Sequence, residues 1–411
     1  MQHAQKHNKS FYLIALCWLV YTCSYIGKLS YNANINQMGL AFGVPYAQTG
    51  SVSTFFFFAY GAGQIINGFC CKKYNIRYVI FCSLLVASAM NILIAVIPNF
   101  ALLKYVWLIN GAAMSFLWTS LIRLLSETLN KKDVNKAIVA MGTTVATGTF
   151  LVYGMSAIFA AIGVFRITFY VAASIMITAS LLWFFVFPSL VKPLQAEREQ
   201  EESQTAQTNA GVSTTYSYVG LLIGVLVFFA IANNFIKDGL TAWTPDILSA
   251  VYDTPGWLSI LLTLLLPVMA IFGTVVAMRV YKTVKDFVGT CVVLYIGSAI
   301  LISLVIVFLS TSAMPVTIAC FALVACLMAG VNNVITSLVP LKLKMKMNAG
   351  KLAGILNGFC YLGSTISAYG LGSIADAFGW SAVFYTLLGV CLFVLLLGGA
   401  YLAFRLIKKE K

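Results

Sequence analysis

Long apolar runs separated by short polar loops dominate the pattern along this chain of 411 residues. A membrane-spanning helix needs about 20 consecutive apolar residues, and the runs accommodate twelve such helices. In the first half the predicted spans are 11–33, 50–71, 78–97, 101–125, 137–161 and 166–188. In the second half they are 217–239, 257–280, 287–309, 313–339, 350–374 and 380–405. The pattern therefore predicts an all-α membrane protein that crosses the bilayer many times.

The composition agrees with a membrane protein, because 61% of the residues are hydrophobic and only 9% are charged. Soluble domains carry roughly 25% charged residues. The net charge of +14 would suggest a nucleic-acid partner in a soluble protein. Here the basic residues lie in short loops between apolar runs, so we expect the lipid bilayer as a partner and no nucleic acid.

The loops also predict the topology and the domain organisation. The odd-numbered loops contain only Lys104 and Arg166 as basic residues, whereas the tails and the even-numbered loops are rich in them. By the positive-inside rule both termini are predicted to be cytoplasmic. Residues 189–216 carry a charged stretch and a Ser/Thr/Asn/Gln run, and this composition predicts a cytoplasmic linker. The predicted domains are a six-helix bundle at 1–188, the linker at 189–216 and a second bundle at 217–411.

An internal repeat relates the two halves. Thr149 and Tyr153 recur as Thr365 and Tyr369, each shifted by 216 residues. Two similar halves of six helices imply a pseudo-two-fold axis along the membrane normal, with a site between the halves.

One polar face stands out in the first span. Tyr21, Tyr25, Lys28 and Tyr31 are spaced so that they share one side of a helix. A lysine at mid-bilayer costs about 2.5–3.5 kcal/mol by insertion scales, so such a residue is a functional candidate. The alternative is a lysine that extends to the outer surface from the helix end.

A second lysine, Lys237, occurs at the matching place in the other half. We expect Lys28 and Lys237 to face each other across a central cavity and to hold an anion. Asp238 follows directly, so a local ion pair with Lys237 is the alternative. Asp238 is also the candidate for coupling to protons or sodium ions, because it is a carboxylate inside a predicted span.

Several motifs resemble one transporter family. Tyr21, Tyr25 and Lys28 in the first helix, and the segment from Lys237 to Pro245 in the seventh, resemble the organophosphate:phosphate antiporters of the major facilitator superfamily. The resemblance implies twelve transmembrane helices in two pseudo-symmetric six-helix halves. It also implies that cavity tyrosines and Gln64 contribute to binding, although helix packing is an alternative for the tyrosines. Asn332, a polar group inside predicted helix ten, either bridges helices or faces the cavity. The candidate substrate-binding residues are Lys28, Lys237, Tyr21, Tyr25, Tyr60, Gln64, Tyr361 and Asn332.

The expected function is exchange of a phosphorylated metabolite, such as a sugar or glycerol phosphate, for inorganic phosphate by rocker-switch alternating access. The family's basic residues on helices one and seven are typically arginines, and lysine lacks their bidentate geometry. A proton- or sodium-coupled carboxylate symporter and a transporter-like sugar-phosphate sensor therefore remain alternatives. We expect no enzymatic activity and no cofactor. We also expect no metal site, since the only histidines are His3 and His7 in the N-terminal tail. The protein is expected to work as a monomer in the plasma (inner) membrane.

Overall fold

The fold consists of α-helices joined by short turns. A computed structural model describes residues 2–70, 73–204, 219–309, 311, 313–343 and 349–409, and no strand occurs among them. The first half contains α1 (Gln2–Ala33), α2 (Ile35–Phe42), α3 (Tyr46–Cys70), α4 (Ile76–Val96), α5 (Phe100–Met114), α6 (Leu117–Thr128), α7 (Lys131–Ala161) and α8 (Ile167–Gln204). The second half contains α9 (Val219–Tyr252), α10 (Gly256–Thr263), α11 (Leu265–Val284), α12 (Phe287–Phe308), α13 (Met314–Asn333), a π-helical turn (Val334–Leu338), α14 (Val339–Lys342) and α15 (Ala349–Lys409).

These helices form the twelve predicted spans. Ten stretches of the described chain are long and apolar enough to cross a membrane. The last of them, Leu352–Lys408, is 57 residues long and is divided by Gly379, whose φ of 78° is non-helical. The twelfth span is α3, a more polar helix of 25 residues that packs along α5 and α15. The predicted all-α fold is therefore confirmed.

Several helix boundaries differ from the prediction, because one span is longer than expected and two are divided. The predicted seventh span ends at 239, but α9 continues through Pro245 to Tyr252. The apolar residues Ile247 and Leu248 are buried there, so packing extends the helix beyond the proline. Two other predicted spans are each divided into two helices, at Ser115 and at Leu264.

The predicted linker at 189–216 begins inside a helix, because α8 runs on to Gln204. Glutamate, glutamine and arginine favour helix strongly enough to continue it. Residues 205–216 lie outside the described residues. The boundaries of the two bundles thus stay a prediction.

The two halves meet along α3 and α15, and also where α7 packs against α10 and α11. The approach of α3 to α15 is very close at Gly50, where an added Cβ would lie 2.1 Å from the carbonyl oxygen of Ala368. At the bilayer-facing side, large apolar side chains such as Phe185 and Leu396 are exposed, as expected for surfaces that contact lipid tails.

Candidate substrate-binding cavity

A cavity of about 360 Å³ lies between the two halves. From the first half α1, α3, α6 and α7 line it, and from the second half α9, α11, α13, the π-helical turn and α15. Small-molecule sites typically have volumes of about 300–1,000 Å³. The cavity is thus large enough for a small organic ligand that contacts both halves.

Lys28 lies at one wall of this cavity and is only 4% exposed. Its Nζ donates a hydrogen bond to the hydroxyl of Tyr361, at 2.9 Å. The same nitrogen is 3.9 Å from the ring centroid of Tyr60 and 4.7 Å from those of Tyr25 and Tyr361. A desolvated cation–π contact contributes about 2 kcal/mol. The aromatic rings thus offset part of the cost of burying the ammonium, which does not extend to the surface.

Lys237 lines the same cavity but has a carboxylate beside it. Its Nζ lies 3.3 Å from Oδ1 of Asp238. The other carboxylate oxygen, Oδ2, accepts hydrogen bonds from Ser364 Oγ at 2.5 Å and from Asn234 Nδ2 at 3.0 Å. The local ion pair, which was the alternative in the sequence interpretation, is therefore the arrangement in the structure.

The remaining predicted residues divide into two groups. Tyr25, Tyr361 and Asn332 line the cavity. Asn332 also accepts a hydrogen bond from Cys360 Sγ at 3.7 Å, so it both bridges helices and faces the cavity.

The second group lies behind the cavity wall. Tyr60 lies against Lys28, and Tyr21 packs on Tyr25 with ring centroids 5.3 Å apart. Gln64 does not line the cavity, and its role in substrate binding stays a prediction. Its Nε2 donates to the carbonyl of Ser115 at 3.0 Å, and its Oε1 accepts from Thr119 at 3.2 Å. Gln64 therefore ties α3 to the junction of α5 and α6.

Two carboxylates that sequence reasoning missed connect the halves at one end of the protein. Asp246 is 2% exposed and its Oδ1 accepts a hydrogen bond from Asn36 Nδ2 at 2.8 Å. Asp376 accepts from the backbone N–H groups of Tyr46 at 3.0 Å and Ala47 at 2.7 Å. We call these five residues the interhalf contact. The first residues of a helix have free backbone N–H groups, which attract a carboxylate. The start of α3 was therefore the sequence signal that could have indicated an acidic partner such as Asp376.

Comparisons with known proteins agree with this architecture. The family model described as Major Facilitator Superfamily matches residues 17–368. A curated relative, the "Probable hexose phosphate transport protein" of Chlamydia pneumoniae, is 23% identical over 94% of this chain and 89% of its own length.

Solved structures show the same fold at low sequence identity. The xylose transporter XylE from E. coli, in a partially occluded inward-open conformation, has a TM-score of 0.74 at 11% identity, covering 94% of this chain and 98% of its own. The nucleoside transporter NupG has a TM-score of 0.67 at 13% identity, covering 96% and 98%. The chain described here belongs to the major facilitator superfamily.

Proposed function

We propose that this transporter exchanges a small phosphorylated organic anion for inorganic phosphate. The single observation that carries the proposal is Lys28, a buried ammonium that lines a cavity between the halves without a carboxylate partner among the described residues. A buried cation of this kind favours an anionic ligand. The name of the Chlamydia pneumoniae relative, a probable hexose phosphate transport protein, supports a sugar phosphate as the anion.

The proposed mechanism uses the positions of the two lysines on different halves. Lys28 is part of α1 and Lys237 is part of α9. An ammonium has three N–H donors, so each lysine can donate to an anion while it keeps its contact with Tyr361 or Asp238. An anion bound to both would draw the halves together and allow rocker-switch alternation.

The proposal can be tested by counterflow of radiolabelled phosphate in proteoliposomes. The panel contains glucose 6-phosphate, glycerol 3-phosphate and a dicarboxylate as external substrates. We expect the phosphate esters to drive counterflow and the dicarboxylate to fail. Lys28→Ala should lower the rate by at least about 100-fold, because removing one partner of a buried charged contact costs about 3–5 kcal/mol. Lys104→Ala is the control, since Lys104 is a basic residue on α5 that does not line the cavity.

Other outcomes would identify other functions. Uptake of a carboxylate that is driven by a pH or sodium gradient and lost in Asp238→Asn would contradict the proposal and show coupled symport. Binding of sugar phosphate without flux would instead show a sensor.

The cellular setting belongs to the same proposal. We propose a monomer in the plasma (inner) membrane. The basic residues in the tails and even-numbered loops support a cytoplasmic position for both termini.

A further inference from the structure

The charges in the cavity match a ligand with one anionic group. Lys237 is compensated by Asp238, whereas Lys28 has no carboxylate partner among the described residues. A second anionic group on the ligand would therefore lack a free cation. Most of the lining beyond Lys28 must contact the neutral part of the ligand.

An uncharged polar surface is available for that part. Thr274 on α11, Asn333 at the end of α13 and Ser337 in the π-helical turn all line the cavity. Their side chains have no hydrogen-bond partner among the described residues. We call these three residues the polar face. By contrast, the neighbouring Thr336 hydroxyl already donates to the backbone carbonyl of Asn332 at 2.8 Å.

Close packing of two helices fixes the position of Thr274 on the cavity wall. Gly273 precedes Thr274, and a Cβ there would lie 2.3 Å from the carbonyl oxygen of Cys326 on α13 and 2.8 Å from the backbone nitrogen of Gly330. A larger residue at this position would push α11 away from α13. The π-helical turn follows at once and places Ser337 on the cavity. Such turns occur frequently at functional sites.

We propose that the polar face is a subsite for the hydroxyl groups of a polyhydroxylated substrate whose single anionic group binds at Lys28. The inference rests on the proposed function and specifies its substrate class. Hydroxyl and amide side chains offer both donors and acceptors, as sugar hydroxyls do. A carboxylate or a second phosphate placed there would meet no cation.

The same chemistry predicts that the site selects against a substrate whose neutral part is smaller or less polar. Once a bound ligand excludes water from the polar face, an analogue without hydroxyl groups leaves the polar groups of the site unpaired and is rejected. An alkyl phosphate of similar size should therefore be a much poorer substrate than a hexose phosphate.

The test compares KM values for glucose 6-phosphate and for inorganic phosphate in three single variants, Thr274→Val, Asn333→Leu and Ser337→Ala. Each removes hydrogen-bonding atoms with little change of shape. We expect the KM for glucose 6-phosphate, divided by the KM for inorganic phosphate, to rise at least tenfold in Asn333→Leu. The same ratio should rise several-fold in Thr274→Val and Ser337→Ala. Thr283→Val is the matched control on α11, because its hydroxyl donates to the carbonyl of Arg279 and does not line the cavity.

The outcomes separate the two proposals. An unchanged ratio, or equal effects on both substrates, would overturn the subsite while leaving phosphate exchange in place. Wild-type protein that exchanges no phosphate compound would overturn the proposed function and this inference with it. If Asn333→Leu fails to fold, the ratio in Thr274→Val and Ser337→Ala decides, since each replaces only one hydroxyl.

Discussion

Lys28 is stable inside the protein because aromatic faces replace the water that it loses. Three tyrosine rings lie within 4.7 Å of its Nζ, and their negative faces attract the cation. The tyrosine hydroxyl that accepts its hydrogen bond comes from the other half of the protein, on α15. The position of this one side chain therefore depends on how the two halves sit against each other.

Replacing Tyr361 with phenylalanine tests the role of that hydroxyl. The ring and its cation–π contact remain, but the acceptor at 2.9 Å is lost. A hydrogen bond to a charged group contributes about 1.5–3 kcal/mol, so we expect the KM for the anion to rise about tenfold or more. Tyr369→Phe is the control, because Tyr369 is on the same helix and half exposed away from the cavity. A KM that stays at the wild-type value would mean that Tyr361 contributes its ring alone.

The residue scale also shows what sequence patterns can predict. The spacing of Tyr21, Tyr25 and Lys28 was sufficient to place them on one face, because helical periodicity is a backbone property. The pairing of Lys237 with Asp238 was left open. Adjacent residues on a helix project about 100° apart, so their contact depends on side-chain rotamers, which tertiary packing decides.

At the scale of elements, the interhalf contact holds α2 and α3 of the first half against α9 and α15 of the second. Asp376 caps the start of α3, where the helix dipole stabilises a carboxylate by about 0.3–1 kcal/mol. Rings of Tyr46, Trp243 and Trp380 pack beside it, with centroids 5.1–5.9 Å apart. In the proposed rocker-switch alternation, these contacts break when the halves separate at this end.

Asp376→Asn should favour separation of the halves at the interhalf contact, because the amide lacks the charge that faces the start of α3. Spin labels at Leu40 on α2 and Trp257 on α10 report on the two halves. Replacing the exposed Cys82 with serine reduces background labelling. We expect the distribution of distances between the two spin labels, measured by electron–electron resonance, to gain a longer component in Asp376→Asn. Asp253→Asn is the control, since Asp253 has a positive φ of 51°, which asparagine tolerates, and the charge change is the same. Identical distance distributions in the two variants would contradict the idea that the charge of Asp376 holds the two halves together.

The missed carboxylates show why element boundaries mattered for the site. The predicted seventh span ended at 239, and Asp246 lies seven residues beyond it. The helix continues because the residues after the proline are buried against neighbouring helices, and proline removes only one backbone donor. Tertiary packing of this kind is not visible in local propensity.

For the whole molecule, the internal repeat predicted the architecture but not the division of roles. Tyr153 on α7 is buried and lines the cavity, whereas its counterpart Tyr369 is half exposed outside it. Lys28 is followed by Leu29, while Lys237 is followed by the carboxylate of Asp238. Duplication therefore preserves the helix framework, and single substitutions make the two halves different. In the proposed mechanism, the first half supplies Lys28, which has no carboxylate beside it, and the second half supplies Lys237 with its carboxylate partner and the uncharged polar face.

This asymmetry leads to a last prediction about the transport cycle. Without a ligand, the cavity carries one uncompensated cation, Lys28, among its described residues. Occluding an unpaired charge costs several kcal/mol, so the empty carrier should change conformation slowly. We expect phosphate efflux from proteoliposomes into phosphate-free buffer to be at least about tenfold slower than efflux into phosphate-containing buffer, a difference of about 1.4 kcal/mol in barrier height. Lys104→Gln should keep this ratio, because Lys104 lies away from the cavity. Equal efflux rates in the two buffers would show that the empty carrier returns freely, and that the charge of Lys28 does not enforce exchange.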